Sequence, residues 1–189
     1  MGRIGPSRCN PISAVCSTGR RKGLKTVFKH ILCPVDGSDC SMEALKVATQ
    51  FAAEQHACLT ICVVVDPVKA AATAMGVPLG TAACLEALDE EADEIITKAM
   101  TFVDPLTPAL AVKRRGQASV KIVDLAREYD CDMIVIGSHG RSGFSRALVG
   151  SVAEAVMRHT DVPVMIVRWR RVTAAPAAAS ASPVLHSVK

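Results

Sequence analysis

Aromatic residues are scarce in this 189-residue chain, making up 3% of it. Few side chains are therefore available to stack on exposed bases, which argues against a protein that binds single-stranded nucleic acid. No uninterrupted apolar run approaches the roughly 18 residues that a membrane-spanning helix needs. We therefore expect neither a nucleic-acid partner nor a membrane partner. The abundant Val, Ile, Leu and Ala are instead typical of a buried parallel sheet covered by helices.

Acidic residues are absent from both ends of the chain. Residues 1–29 hold seven Lys or Arg and no Asp or Glu, and residues 169–189 add three basic residues and no acid. Residues 30–168, in contrast, carry twelve basic and eighteen acidic residues. The net charge of +4 therefore comes from the ends, and the central part lacks the basic excess of a nucleic-acid-binding domain.

The composition divides the chain into three parts. Residues 1–27 are rich in Gly, Ser, Pro and Arg without hydrophobic periodicity, which predicts a basic disordered extension. An organelle transit peptide, or a start codon placed too early, are the alternatives. Residues 28–168 form the predicted domain, and residues 169–189 predict a disordered tail rich in Ala, Ser and Pro.

Metal-binding cysteine patterns are also missing. The chain has eight cysteines but no CxxC pair and no Cys/His cluster at zinc spacing. Most lie in apolar segments, so we expect buried, reduced thiols that act as small hydrophobic residues. A redox or metal role is the alternative. Unpatterned thiols favour a reducing compartment, and we predict a cytoplasmic location.

Apolar runs that end in turn residues alternate with stretches of helical periodicity. The order β-α-β-α-β-α-β-α-β predicts one domain with an open, five-stranded parallel sheet and helices on both faces, an α/β fold. Ligands bind such sheets at the carboxyl ends of the strands, where the strand order reverses. The predicted strands are His30–Asp36, Ala57–Val65, Ala109–Arg114, Asp132–Gly137 and Val162–Val167. The first predicted helix is capped by Ser38 or Asp39 and runs to about Gln55, and the others run from Ala82 to about Val103, Ser119 to Tyr129 and Gly150 to about His159.

A glycine-rich stretch, Gly137 to Ser151, follows the fourth predicted strand. Glycine lets the backbone approach an anion closely, and the amides that open the next helix point at any anion lying there. His139 could donate a hydrogen bond, and Arg141 and Arg146 add positive charge unless they are ordinary solvated loop residues. The stretch suits a polyphosphate; a loop of purely structural use is the alternative.

The spacing of this stretch distinguishes it from two common phosphate loops. It lacks the Gly-Lys-Ser/Thr of a Walker A loop and does not fit the GxGxxG dinucleotide pattern. It resembles the signature of the universal stress protein family: glycine, two residues, glycine, nine residues, then glycine and serine or threonine. The matching residues are Gly137, Gly140, Gly150 and Ser151. Segments that resemble the family's strands occur in the same order at 29–38, 63–67, 132–137 and 162–167.

The resemblance implies a Rossmann-like fold, similar to the adenine nucleotide alpha hydrolases, with strand order 3-2-1-4-5. It also implies that the site binds ATP, with or without Mg²⁺. In nucleotide-binding members the acid after strand 1, here Asp36, contacts the ribose or the metal; a turn-capping role is the alternative. The backbone of Val64 would meet adenine, with Val65 the next choice, and Pro34 would pack near the base. Gly140, Gly150, Ser151 and the amide of Val152 would hold the phosphates, and Gly137 and His139 complete the predicted nucleotide-binding residues.

Three functions remain open from the sequence. The first is an ATP-binding regulatory protein of the stress response that acts as a homodimer. The second is a slow nucleotide hydrolase, although no general base is evident, and the third is an interaction module that binds no nucleotide. The resemblance implies that the dimer forms through Val162–Val167, and Pro163, which lacks an amide hydrogen, fits an edge position there.

Overall fold

The computed structural model describes residues 27–66, 82–139 and 149–168. Apart from Val27, the predicted terminal extensions lie outside these ranges, as do Gly140, Arg141 and Arg146. Within the ranges, no helix has both the length and the hydropathy that crossing a bilayer requires. The strands are β1 (His30–Pro34), β2 (Cys58–Val65), β3 (Ala109–Arg115), β4 (Met133–Gly137) and β5 (Val164–Val167), and the helices are α1 (Asp39–Gln55), α2 (Ala82–Met100), α3 (Ala118–Glu128) and α4 (Ser151–His159).

All four strand pairs are parallel, and the sheet has the order β3-β2-β1-β4-β5. The predicted fold class and strand order are therefore confirmed. The strand order reverses between β1 and β4, so the chain leaves β1 towards one side of the sheet and β4 towards the other. The loops after these two strands flank the position at which α/β sheets bind ligands.

Several elements are shorter than predicted, for local reasons. β1 ends at Pro34 rather than Asp36, since the Asp36 amide donates to the Ser41 side chain instead of to a strand. β5 begins at Val164, directly after Pro163. α2 ends at Met100 rather than near Val103, because the next three amides bond to carbonyls three residues back, which tightens the final turn.

The core consists of two apolar layers, one on each face of the sheet. On one face α1 and α2 cover side chains that include Ile31, Leu59 and Val135. On the other face α3 and α4 cover a set that includes Leu32 and Ile134. The alternation along β1 and β4 shows that these central strands are buried on both faces, as a parallel sheet requires.

Three cysteines confirm the expectation of buried, reduced thiols, whereas the buried Cys58 is disulfide-bonded and contradicts it. Cys33, Cys62 and Cys131 are buried and free. Burial raises the thiol pKa of all three, because the apolar surroundings disfavour a thiolate. These sulfur atoms are therefore poor nucleophiles and act as core side chains.

Candidate functional site

The end of β4 meets the start of α1 through a glycine. A Cβ atom on Gly137 would lie 2.9 Å from the carbonyl oxygen of Cys40 and 3.1 Å from the backbone nitrogen of Ser41. Any side chain at this position would therefore collide with the backbone. The first glycine of the predicted phosphate stretch thus has a packing role: it lets β4 approach the first turn of α1.

Asp36 forms a tight turn with Ser38 between β1 and α1. Its Oδ1 atom accepts hydrogen bonds from the Ser38 amide at 3.1 Å and from the Ser38 hydroxyl at 2.6 Å. Gly37 adopts a positive φ of 82° between them, a conformation that glycine adopts without strain. The Ser38 Oγ atom then caps α1 by accepting from the Ser41 amide at 3.3 Å. The turn-capping role considered for Asp36 is therefore present in this structure.

Pro34 and Val64 lie near the carboxyl ends of adjacent strands. Pro34 is paired with Cys62 of β2, and Val64 is two residues further along the same strand. The Pro34 side chain is buried, whereas Val64 is half-buried on the face covered by α3 and α4. The Val64 backbone pairs in register with Arg114 of β3.

The residue that precedes α4 is a glycine, so it has no side chain with which to cap the helix. Gly150 is the N-cap residue, with an extended backbone (φ −73°, ψ 155°) and no capping hydrogen bond from a side chain. Its amide donates to the Ser138 carbonyl at 2.6 Å. A Cβ atom on Gly150 would lie 2.9 Å from that same oxygen. Ser151 follows as an exposed residue and Val152 as a half-buried one, and their amides belong to the set that a helix leaves without intrahelical partners.

His139 is the second residue after β4 and is half-buried. Its Nδ1 atom lies 3.0 Å from the hydroxyl oxygen of Ser138, which is itself 2% exposed. The Ser138 hydroxyl lies 3.5 Å from the Cys40 sulfur. This contact between residues 98 positions apart was missed by the sequence analysis, because no local pattern signals it.

Most of the predicted site residues are thus grouped along one edge of the sheet. Gly137 contacts the first turn of α1, α1 begins at the Asp36 turn, and Ser138 contacts the start of α4. Gly140 lies outside the described residues. Among the described residues, no three His, Cys, Asp or Glu side chains cluster as a protein-built metal site would require. A divalent ion at this edge would therefore need ligands from the nucleotide as well as from Asp36.

These features define an open, doubly wound α/β protein in which α4 begins beside the topological switch point of the sheet. The model of the universal stress protein family matches residues 28–168, and the chain belongs to that family. It is 33% identical over 147 residues to universal stress protein MJ0531 of Methanocaldococcus jannaschii, a match that covers 76% of this chain and 84% of the relative.

Solved structures of the family share the fold. The universal stress protein UspA of Lactobacillus plantarum is 28% identical, with a TM-score of 0.60, and the match covers 74% of this chain and 97% of that one. A universal stress protein in complex with cAMP is 27% identical, with a TM-score of 0.50, and covers 75% of this chain and 97% of its own. An adenine nucleotide therefore binds to at least one protein with this architecture.

Proposed function

We propose that this protein binds an adenine nucleotide, ATP with or without Mg²⁺, at the carboxyl edge of β1, β2 and β4. It acts as a cytoplasmic, dimeric regulator of the stress response. The observation that carries the proposal is the start of α4 at the switch point of the sheet, where the N-cap residue is a glycine without a capping side chain. The first backbone amides of a helix attract phosphate oxygens, and the helix dipole adds to this attraction.

The remaining contacts follow from this placement of the phosphates. Gly140, Gly150, Ser151 and Val152 would hold the phosphates, and the Val64 backbone and Pro34 would meet the base. Asp36 would turn its second carboxylate oxygen to a ribose hydroxyl or to a metal-bound water, while Oδ1 continues to hold Ser38. The structure of a relative bound to cAMP supports an adenine base and a phosphate as the ligand class.

Two substitutions at Ser151 separate the hydroxyl from the amide. Ser151→Ala removes the hydroxyl alone and should weaken ATP binding about fivefold, the effect of one lost hydrogen bond. Ser151→Pro also removes the amide hydrogen and should weaken binding further. Proline is favoured at the first position of a helix, and the extended backbone of Gly150 suits a residue that precedes proline. The fold should therefore tolerate both changes.

Calorimetry with ATP measures these affinities, and Thr97→Ala provides the control. Thr97 is an exposed residue of α2, so its loss should leave ATP affinity unchanged. Asp36→Ala belongs to the same series, titrated with Mg²⁺ and with EDTA. If it weakens binding only when Mg²⁺ is present, the carboxylate serves the metal; if it weakens binding in both, it serves the ribose. Equal ATP affinity in the wild type and both Ser151 variants would contradict the proposed site.

The dimer belongs to the same proposal and rests on β5. This strand forms one edge of the described sheet, and all four of its residues are only half-buried. An apolar edge strand exposes unpaired backbone groups and tends to pair with another chain. A second copy of β5, related by a twofold axis, would satisfy them. Ile166→Asp should then yield monomers or aggregates by light scattering, whereas a wild type that stays monomeric at tens of micromolar contradicts this interface.

Nucleotide hydrolysis is the second candidate function. The Asp36 carboxylate is the specific feature in its favour, because it follows a strand at the phosphate-binding edge and could hold a divalent ion beside the nucleotide. Release of phosphate by the wild type that is lost in Asp36→Ala would support this candidate. Bound ATP that remains intact through purification favours the regulatory function.

A further inference from the structure

Cys58, at the start of β2, differs from the other cysteines in the part of the chain that the structure describes. It is bonded in a disulfide and is 1% exposed. The others are reduced thiols: Cys33, Cys40, Cys62, Cys84 and Cys131. Because a disulfide joins two cysteines, none of these thiols is the partner of Cys58. The partner therefore lies outside the described residues.

Cys9 and Cys16 are the remaining cysteines of the chain. The sequence contains eight cysteines, and all the others are either reduced or Cys58 itself. The cysteine count therefore leaves Cys9 and Cys16 as the candidate partners. Both belong to residues 1–26, the basic segment that precedes the described part of the domain.

The start of β2 lies beside the point at which this segment joins the domain. Cys58 is paired in register with His30 of β1, and its amide donates to the Lys29 carbonyl at 2.9 Å. Ten residues of extended chain span roughly 33–36 Å, and both candidate cysteines precede Val27 by at least that many residues. Either cysteine is therefore within reach of Cys58 along the chain.

We propose that Cys58 and a cysteine of residues 1–26 form a redox-sensitive disulfide that tethers the basic segment to the domain. A segment bonded at the start of β2 is held there, in contrast to the disordered extension that its composition predicts. Disulfides in a reducing compartment are usually transient and respond to the redox state. The pairing rests on the cysteine count, whereas the redox sensitivity rests on the cytoplasmic location proposed above.

The bond forms by thiol–disulfide exchange with a low-molecular-weight disulfide such as glutathione disulfide. One protein thiolate attacks the oxidant, forms a mixed disulfide and releases one thiolate. The second cysteine then attacks the mixed disulfide and releases the other. Each leaving thiolate takes up the proton that an attacking thiol has lost, so two protein thiols are oxidised while the oxidant becomes two thiols. Because Cys58 is almost inaccessible to solvent, we expect it to be the second to react.

Peptide mapping of the full chain tests the pairing. The protein is equilibrated with reduced or oxidised glutathione, alkylated under denaturing conditions and digested with trypsin without reductant. Trypsin cleaves after Lys and Arg, so one peptide, residues 9–20, holds both candidate cysteines, and residues 47–69 hold Cys58. We expect these peptides to be cross-linked in the oxidised sample and separate in the reduced one. Fragmentation of the cross-linked pair distinguishes Cys58 from Cys62, and Cys9→Ser and Cys16→Ser identify the partner.

The melting temperature gives a second measurement. A disulfide that closes a loop of about forty residues or more restricts the unfolded chain, so the oxidised wild type should melt at least about 5 °C above the reduced protein. The double variant Cys9→Ser/Cys16→Ser should lose this difference, and it leaves the buried Cys58 site unchanged. Cys84→Ser is the matched control, since it removes a reduced thiol and should keep both the cross-link and the temperature difference.

The outcomes separate the pairing from its redox sensitivity. An oxidised wild type without the cross-link overturns the pairing, as does a temperature difference that survives in the double variant. A cross-link that persists at the glutathione ratio of a reducing cytosol overturns the redox sensitivity, while the pairing stands. Neither measurement involves a nucleotide, so failure of this proposal leaves the proposed ATP site unaffected.

Discussion

The two edges of the sheet are built differently. At the amino edge, side chains satisfy the backbone: the Asp132 carboxylate accepts from the amides of Lys29 at 2.8 Å and His30 at 3.1 Å. At the carboxyl edge, β4 approaches α1 at Gly137 and the segment after β4 approaches the start of α4 at Gly150, an N-cap residue without a capping side chain. Among the described residues, side chains thus satisfy backbone amides at the amino edge, whereas close backbone approaches at glycine characterise the carboxyl edge.

The His30 ring adds two further polar contacts at the amino edge. Its Nδ1 donates to the Tyr129 carbonyl and its Nε2 lies 2.8 Å from the Thr60 hydroxyl, so one side chain connects β1 to β2 and to the end of α3. Both Thr60 and His30 are buried. The amino edge therefore contributes to stability through polar contacts that are satisfied within the chain. We expect substitutions there to change stability more than binding.

The largest expected effect comes from filling the space at the carboxyl edge. Gly137→Ala would place a Cβ within 3.1 Å of three backbone atoms of α1, and backbone cannot rotate away as a side chain can. We expect the free energy of unfolding to fall by about 3 kcal/mol, at the upper end of overpacking costs. Urea denaturation measures this change.

Gly150→Ala should destabilise the protein less than Gly137→Ala does, because its Cβ comes within 3.0 Å only of the Ser138 carbonyl oxygen. It should cost about 1–2 kcal/mol by the same mechanism. A Gly137→Ala protein as stable as the wild type would show that β4 and α1 can separate. Loss of ATP binding in either glycine variant must be interpreted together with its stability, since both positions have packing roles.

Breaking the amino edge at Asp132 should have the next largest effect. Asp132→Ala removes the acceptor of two backbone amides and should lower the free energy of unfolding by about 2 kcal/mol, the scale of hydrogen bonds to a charged group. Asp161→Ala is the matched control, because that carboxylate is 90% exposed in its ion pair with Arg127 and should contribute almost nothing. ATP affinity should be unchanged in both variants. Weaker ATP binding in a folded Asp132→Ala protein would contradict the division between the edges.

The sequence analysis was most successful where the information is local or periodic. Apolar runs predicted the five strands, because burial on both faces leaves a distinct pattern in each strand. The order of the strands in the sheet was predicted by the family resemblance. The Asp36 turn was also within reach, since its partner Ser38 is two residues away.

The contacts that the sequence did not predict connect distant residues. Asp132 accepts hydrogen bonds from amides more than 100 residues away. Ser138, directly after β4, contacts Cys40 in α1. The spacing of Gly137 and Gly150 suggested a phosphate loop, yet the structure shows that each glycine also permits a close backbone approach. The spacing of a signature motif therefore cannot separate a packing requirement from a binding requirement.

The smallest expected effect concerns the pH dependence of the amino edge. Burial lowers the pKa of His30, and this effect outweighs the opposing contributions of the Tyr129 carbonyl and the Asp132 and Asp130 carboxylates. The folded state therefore favours the neutral ring more than the unfolded chain does, in which the pKa is about 6.5. The contribution of His30 to stability is complete above that pH. It decreases as the pH falls, because protonation then favours unfolding.

The prediction is tested by comparing the wild type with His30→Gln, whose amide can still bond to Tyr129 and Thr60 but does not titrate. Urea denaturation of both proteins at several values between about pH 5.5 and 8 gives the difference in unfolding free energy. As the pH falls, the unfolding free energy of the wild type should decrease relative to that of His30→Gln. The other titrating groups are common to both proteins, so their contributions cancel in the difference. A difference that stays constant over this range would mean that the ring accepts its second proton inside the fold. The Thr60 hydroxyl would then have to turn from donor to acceptor without cost.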